Sequence, residues 1–393
     1  MMRRIKFERS WAARGALAAT LVALVAVAAG CGSSSSGSGG GEDKPKEVTI
    51  GASLPLTGPG AVYGKGMREG LQAGVEAVNS GGGAGGSKLK VVYLDSKAEA
   101  APAVANMRQL TESDDAVAVA TAFSVPPLAQ LPLAERSEVA ILNGGGNDPS
   151  LLGHEWLFND VVSVSQEEHA LFEWLKANKG VKTLGLIVST AFSEEGQQLI
   201  IEAAEEVLGK GNVTSTTMDE ASTDATAPIE KALADNPDAL FTSVSGAPLE
   251  LTLKQLAERG VSIPVSTGSQ IFSLPPSTFS GSIGSQLVVS RQEFKPSSEF
   301  LKAVGGSKSE LPSLYVGTYY TLGLMLGKAV ENLNEAGEPV NGANVHAQLE
   351  ELGEVEGCCG QAGFTEDHGS TAGVEIVTFP NGQEKVVETV AAK

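Results

Sequence analysis

The stretch Glu47-Val48-Thr49-Ile50-Gly51-Ala52-Ser53-Leu54-Pro55-Leu56-Thr57-Gly58-Pro59-Gly60 decides how this chain of 393 residues is read. Val48, Ile50, Ala52 and Leu54 alternate with smaller or polar residues, which is the period of a strand, and Gly58-Pro59-Gly60 breaks it. Met67, Leu71, Val75 and Val78 then recur at helical spacing. A buried strand, a Gly/Pro turn and an amphipathic helix make the first half of a β-α-β unit, whose strand needs a parallel partner. The apolar run 89–94 supplies that partner.

Working outward, the alternation continues with a helix over 101–110, a strand over 116–120, a helix over 125–136 and a strand over 139–142. A second series follows. Residues 166–178 read as a helix with Leu171, Trp174 and Leu175 on one face, 183–189 as a buried strand and 194–208 as a helix. Strands are expected over 213–217, 240–243 and 263–266, with helices over 228–234 and 249–259 between them. The series ends near 287–290. A long helix over 314–333 turns Tyr315, Tyr319, Leu322, Leu326 and Val330 inward, and 373–390 is β-rich with Pro380-Asn381-Gly382 as a hairpin turn. The expected class is α/β, with two doubly wound parallel-sheet lobes. Ligands of such sheets sit beyond the carboxyl ends of the strands, here in a cleft between the lobes.

Toward the N-terminus, Arg3, Arg4, Lys6, Arg9 and Arg14 precede an apolar run from Ala16 to Ala29 that ends in Gly30-Cys31. A positive flank, a short apolar core and small residues before the cut describe an export signal over 1–30. The run is shorter than the roughly 20 residues that span a bilayer. Residues 27–31 resemble a lipobox, which makes Cys31 the expected lipidated N-terminus. The Gly/Ser-rich stretch that follows is a flexible tether over 31–46. The working body is therefore expected outside the cytoplasmic membrane, held near it by lipid.

Five basic side chains and one acid in residues 1–30 contribute four net positive charges, so the remainder carries −23 rather than the −19 of the whole chain. Such an acidic surface excludes nucleic acid as a partner. The other two cysteines, Cys358 and Cys359, are adjacent. Neighbouring Cα atoms stand about 3.8 Å apart, below the range of about 4.4–6.8 Å of relaxed disulfides, so a loop thiol pair of local structural role is expected. The four histidines are scattered without metal-ligand spacing, and no G-x-S-x-G elbow or complete Walker pattern occurs. Neither a metal, a cofactor nor an enzymatic activity is expected; a hydrolase is the weakest of the readings considered.

The chain resembles the type I periplasmic binding proteins of the branched-chain amino-acid-binding (Leu/Ile/Val-binding) family of ABC importers. The resemblance rests on the segment 50–58, then Tyr63-Gly64, the helix ending Ala73-Gly74-Val75-Glu76-Ala77-Val78-Asn79, and Gly81-Gly82-Gly83. Ser124 with 131–135, the segment 143–149, 315–320 and 364–367 extend it over essentially all of 47–393. It implies three crossings between lobes, with lobe 1 over 47–158 plus 290–367 and lobe 2 over 159–289 plus 368–393. It further implies a monomer that captures a small amino acid or a related carboxylate or amide by lobe closure and delivers it to an ABC permease. A sensor acting through a receptor partner is the alternative.

Carried over by position, the ligand contacts would be Tyr63, Ser124, Gly145, Gly146 and Asn147 in lobe 1, and Phe192, Ser245 and Gln270 in lobe 2. Ser124 opens a helix, so its hydroxyl and the helix-start N–H groups suit a carboxylate. Gly145-Gly146-Asn147 replaces the family's Ala-Ala-Thr, and Phe192 replaces a Tyr, losing its hydroxyl. The acid that meets a ligand ammonium would fall near Gly268-Ser269-Gln270, where the sequence has none. An unpaired buried ammonium is costly, so this gap argues against a simple copy of branched-chain amino-acid binding.

Overall fold

The computed structural model describes residues 44–58, 60–279, 283–306 and 313–390. The export signal, Cys31 and most of the tether lie outside them. The first half begins with β1 (Glu47–Leu54), α1 (Ala61–Ser80), β2 (Lys88–Asp95), α2 (Ala100–Glu112) and β3 (Ala118–Thr121). It continues with α3 (Val125–Ser137), β4 (Ala140–Asn143) and β5 (Leu157–Asn159). The five strands form one parallel sheet in the order β2-β1-β3-β4-β5.

The strand period predicted from the sequence has its reason in two different apolar layers. Val48, Ile50, Ala52 and Leu54 of β1, with Ala118, Ala120, Ala140 and Leu142, pack into the layer that holds Met67, Leu71 and Val75 of α1. Val119 and Ile141, pointing the other way, join Met107 and Leu110 of α2 and Leu131 of α3.

The second half contains α4 (Val164–Lys179), β6 (Leu184–Ser189), α5 (Glu194–Leu208), β7 (Val213–Met218) and α6 (Thr226–Ala232). Next come β8 (Ala239–Thr242), α7 (Gly246–Glu258), β9 (Val265–Thr267) and β10 (Leu287–Gln292). After β10 the chain returns to the first sheet through α8 (Ser298–Ala303), α9 (Leu314–Ala336), α10 (Gly342–Glu350) and a small hairpin, β11 (Val355–Gly357) with β12 (Gly360–Ala362). It then crosses once more into β13 (Val374–Thr378) and β14 (Lys385–Val390). The second sheet runs β14-β13-β10-β9-β8-β6-β7. Its inner strands are parallel, but β13 and β14 are antiparallel, so this sheet is mixed rather than wholly parallel.

Helix α9 covers the first sheet alongside α1, and the two backbones nearly touch. A side-chain carbon on Gly70 would lie 2.2 Å from the Val316 carbonyl oxygen, and one on Gly74 would lie 2.4 Å from that of Tyr320. Only glycine permits this approach. Tyr319, Leu322, Leu326 and Val330 are all fully buried against the sheet, as their spacing predicts. Strand β5, helices α8 and α10 and the β11–β12 hairpin are not evident from the sequence, because each is too short to establish a period.

Candidate strand-edge binding site

At the carboxyl edge of the first sheet, β1 runs into the Pro55–Gly58 turn, which Asp95 at the end of β2 pins. One carboxylate oxygen accepts the Leu56 N–H at 2.9 Å and the Thr57 N–H at 3.2 Å; the other takes the Thr57 hydroxyl. The turn delivers Tyr63 in the first turn of α1 with 43% of its surface exposed. Its ring meets Phe123 edge-on at 6.0 Å and Tyr315 at 5.4 Å, so three rings from α1, the β3–α3 link and the start of α9 cluster at this edge. Phe123 adopts a left-handed φ of 63°, held by Asn143 Nδ2, which donates to its carbonyl at 2.8 Å.

Ser124 is the N-cap of α3, yet its hydroxyl makes no capping bond, so it is available to a ligand. The helix start offers less than expected. Pro126 and Pro127 carry no N–H, which leaves Val125 as the free donor of the first turn.

Gly145 and Gly146 are buried under Phe123. A side-chain carbon at 146 would stand 2.4 Å from the Phe123 oxygen, and one at 145 would stand 2.7 Å from Met67 Cε. Their polar groups are largely spent. The Gly145 N–H donates to Asn143 Oδ1 at 3.2 Å, and Asn159 Nδ2 donates to the Gly146 carbonyl at 3.0 Å. The Asn147 carbonyl accepts the Val164 N–H at 2.7 Å, tying this edge to the start of α4. Beside it, Asp148 accepts from the Ser193 N–H at 3.1 Å and its hydroxyl at 3.2 Å, which joins the first edge to the N-cap of α5.

At the carboxyl edge of the second sheet, Phe192 packs half-buried against the layer containing Leu186, Val188 and Ile200. Ser245 turns inward instead. Its N–H and hydroxyl both donate to Glu220, at 3.0 and 3.1 Å, and Ser189 donates to the same carboxylate. Gln270 directs Nε2 to Thr267 Oγ1 at 2.9 Å.

Two acids of another element lie beside 268–270. Glu167 and Glu168, in the first turns of α4, are 2% and 0% exposed. Glu167 Oε1 accepts the Gln292 N–H at 3.2 Å. Among the described residues, Glu167 Oε2 and both Glu168 oxygens have no hydrogen-bond partner. Burial pushes the Glu167 carboxyl up to about 8, against the pull of the Gln292 and Ser269 N–H groups. Burial and the neighbouring Glu167 raise Glu168 well above the usual carboxylate range. Buried carboxyls thus stand beside the segment 268–270, although the segment itself carries no acid.

The structure thus joins Tyr63, Ser124, Gly145 and Gly146 around Phe123, and sets Gln270 beside the α4 carboxylates. Ser245 and Phe192 lie on the same sheet edge, linked through Glu220, Ser189 and the Ala191 N–H. Sequence reasoning missed Glu167 and Glu168, although a signal was present. Glu167, Leu171 and Leu175 fall at i, i+4 and i+8, so Glu167 sits on the apolar stripe.

Cys358 and Cys359 occupy the β11–β12 turn with their sulfurs 2.6 Å apart. They line a small cavity of about 160 Å³ with Asp160, Gln292 and Thr371. Among the described residues no group of three or more His, Cys, Asp and Glu could hold a metal ion, and no helix is long and apolar enough to cross a membrane.

Comparison with known proteins gives a consistent picture. A Leu/Ile/Val-binding protein homolog of Brucella melitensis is 24% identical over 176 residues, covering 44% of this chain; the match spans about half, 47%, of that relative's length. A leucine-binding protein of Thermotoga maritima superposes with a TM-score of 0.70 at 18% identity, covering 87% of this chain and 98% of its own. The branched-chain amino-acid transporter substrate-binding protein of Streptococcus pneumoniae, solved with isoleucine, gives 0.69 at 20% identity, covering 88% and 99%. These likenesses establish the fold. The family model described as periplasmic binding protein matches residues 47–383, and the chain belongs to that family, whose members work outside the cytoplasmic membrane.

Proposed function

We propose that this chain captures a small amino acid, or a related carboxylate or amide, between its two strand edges and releases it chemically unchanged to an ABC permease. The halves would be 47–158 plus 290–367 and 159–289 plus 368–393, closing as lobes about the three crossings. Lipid on Cys31 and the tether over 31–46 would hold the body at the outer face of the cell membrane, with the chain acting as a monomer.

The observation that carries this reading is the Asp148–Ser193 contact, at 3.1 and 3.2 Å, which joins the two strand edges directly beside Asn147 and Phe192. A ligand lying there would touch both halves, so its binding free energy would favour the closed arrangement. Tyr63 offers an exposed ring, and Ser124 with the Val125 N–H offers donors to a carboxylate. The leucine and isoleucine named for the structural relatives fit this combination of polar head and apolar side chain.

A thermal-shift screen of the purified chain against amino acids, their deaminated acids and their amides tests the proposal. A ligand at about 100 times its Kd adds roughly 2.7 kcal/mol of stability. No stabilisation by any of the three classes, or conversion of a bound compound into a product, would end it.

A further inference from the structure

We propose that Cys358 and Cys359 are a reversible oxidation site, which a small-molecule or protein disulfide closes into a vicinal disulfide and a thiol reductant reopens. The pair sits on the β11–β12 hairpin, which follows α10 and precedes the last link into the second sheet.

Neighbouring side chains on a regular strand point to opposite faces. These two do not, because they are the turn residues between Gly357 and Gly360, which pair at the end of the hairpin. Their sulfurs lie side by side, 2.6 Å apart. The buried member is held firmly. The Cys358 N–H donates to Thr321 Oγ1 on α9 at 3.0 Å, and its carbonyl accepts the N–H of Ser297, the N-cap of α8, at 2.8 Å. On the other side Gly360 has a positive φ of 109°, a conformation open to glycine, so the turn can yield beside Cys359 when a ring closes.

A second observation gives a reagent access to the pair. Both thiols line the cavity of about 160 Å³. Its other walls come from all three links between the sheets: Asp160 after β5, Gln292 and Glu293 at the end of β10, and Thr371 to Gly373 before β13. The volume is several times the roughly 30 Å³ share of a water molecule, which is room for the CH2–S arm of an incoming disulfide. Cys358 is only 7% exposed, whereas Cys359 is half-buried, so the reagent meets Cys359 first.

Redox chemistry suits the pair better than metal binding. Among the described residues no set of three or more His, Cys, Asp and Glu gathers here, and structural zinc needs four ligands. Outside the cytoplasmic membrane, where members of this family work, thiols meet disulfide oxidants. Bonded neighbours keep their Cα atoms about 3.8 Å apart, below the relaxed range of about 4.4–6.8 Å, so the ring is strained and reducible rather than a permanent staple.

The Cys359 thiolate attacks one sulfur of the oxidant X–S–S–X. A Cys359–S–S–X bond forms, and X–S− leaves and takes up the proton that Cys359 gave to solvent. Cys358 then loses its proton and attacks the Cys359 sulfur, which closes the ring and releases the second X–SH. Two protein thiols are oxidised, one disulfide is reduced to two thiols, and no further co-reactant enters. The order of attack follows from the surroundings. The bond with the Cys359 thiol, burial and the Asp160 carboxyl hold the proton on Cys358 well above the usual thiol range, against the pull of the Thr321 hydroxyl. Cys358 is thus a poor first nucleophile. Once Cys359 is capped by X, its thiol no longer restrains that proton, and Cys358 serves as the resolving thiol.

Peptide mass mapping of the purified full chain, reduced and then exposed while folded to oxidised glutathione, tests this. The only other cysteine of the chain is Cys31, so the peptide that carries 358 and 359 reports on this pair alone. It is expected to lose about 2 Da, the two thiol hydrogens, to retain no glutathione, and to regain those hydrogens in excess reduced glutathione. Cys358→Ser is expected to hold one glutathione on Cys359. In Cys359→Ser the buried Cys358 should react about tenfold more slowly than Cys359 does in Cys358→Ser. The wild-type mass shift needs no variant, so a poorly folding substitution does not blunt the test. An unchanged peptide mass, a glutathione retained on the wild-type pair, or a ring that excess reduced glutathione leaves closed overturns the inference. So does a Cys358 that reacts as fast as Cys359 in variants that circular dichroism shows to be folded.

Discussion

The two strand edges handle buried polarity in opposite ways. At the first, Asn143 and Asn159 spend their amides on one another and on the backbone. Asn143 Nδ2 reaches Phe123 O and Asn159 Oδ1, while Asn159 Nδ2 reaches Gly146 O and Val161 O, all within 3.0 Å. At the second, half-buried Glu220 is likewise satisfied by Ser189 and Ser245, whereas the fully buried Glu168 carboxyl has no hydrogen-bond partner among the described residues. Satisfied networks fix a shape; an unsatisfied buried carboxyl holds recognition chemistry in reserve and costs stability while it waits. The first edge is a satisfied mould, and the second keeps buried carboxyls without partners among the described residues.

The largest expected effect probes the mould. Asn159→Ala strands the Gly146 and Val161 carbonyls and an Asn143 N–H, each worth about 1–3 kcal/mol when buried unpaired, so the chain should lose about 3–5 kcal/mol in urea denaturation. A loss below 1 kcal/mol would show that water relieves the network and that the edge is not rigid.

The second sharpens the contrast at Glu168. Burial raises the native-state affinity of Glu167 and Glu168 for protons, to about 8 for Glu167, whereas the unfolded chain releases its carboxyl protons near about 4.3. The folded state then binds more protons than the unfolded state across that window, so stability of the empty protein falls as pH rises through it. Each group contributes up to about 1.4 kcal/mol per pH unit. Glu168→Gln should remove that share, stabilising the empty chain by up to about 2.7 kcal/mol at pH 7.5 relative to its effect at pH 5.5. Denaturation at both pH values measures it, and an equal effect at both would mean the carboxyl is already paired.

Smaller effects concern the join between the edges. Asp148→Ala removes the acceptor for Ser193 and should weaken the closed state by about 1 kcal/mol, making ligand dissociation about fivefold faster in stopped-flow experiments. Smallest for stability is Ser124→Ala. Because the hydroxyl caps nothing, unfolding should change by less than about 0.5 kcal/mol, while affinity for a carboxylate-bearing ligand drops several-fold.

Much of this fold is legible in the sequence because two layers of core impose two periods. The residues 48, 50, 52 and 54 declare β1, and 319, 322, 326 and 330 declare the inner face of α9. The antiparallel return of β13 and β14 was signalled by Pro380-Asn381-Gly382, but its attachment beside β10 was not, since pairing across some 85 residues leaves no local pattern. The first edge was readable through its turn and glycines. The second was not, because Glu167 and Glu168 look like ordinary acids at a helix start, where the dipole welcomes them. Their burial depends on Gly268 and Gln292, about 100 and 125 residues away. Glu220 was hidden for the same reason: its partners are Ser189 at the end of β6 and Ser245 at the N-cap of α7.

The central claim, capture by closure of two halves, is tested most directly by small-angle scattering of the purified chain with and without saturating L-leucine, with occupancy verified by calorimetry on the same sample. The account predicts a smaller radius of gyration in the occupied protein. An unchanged radius at full occupancy would contradict it.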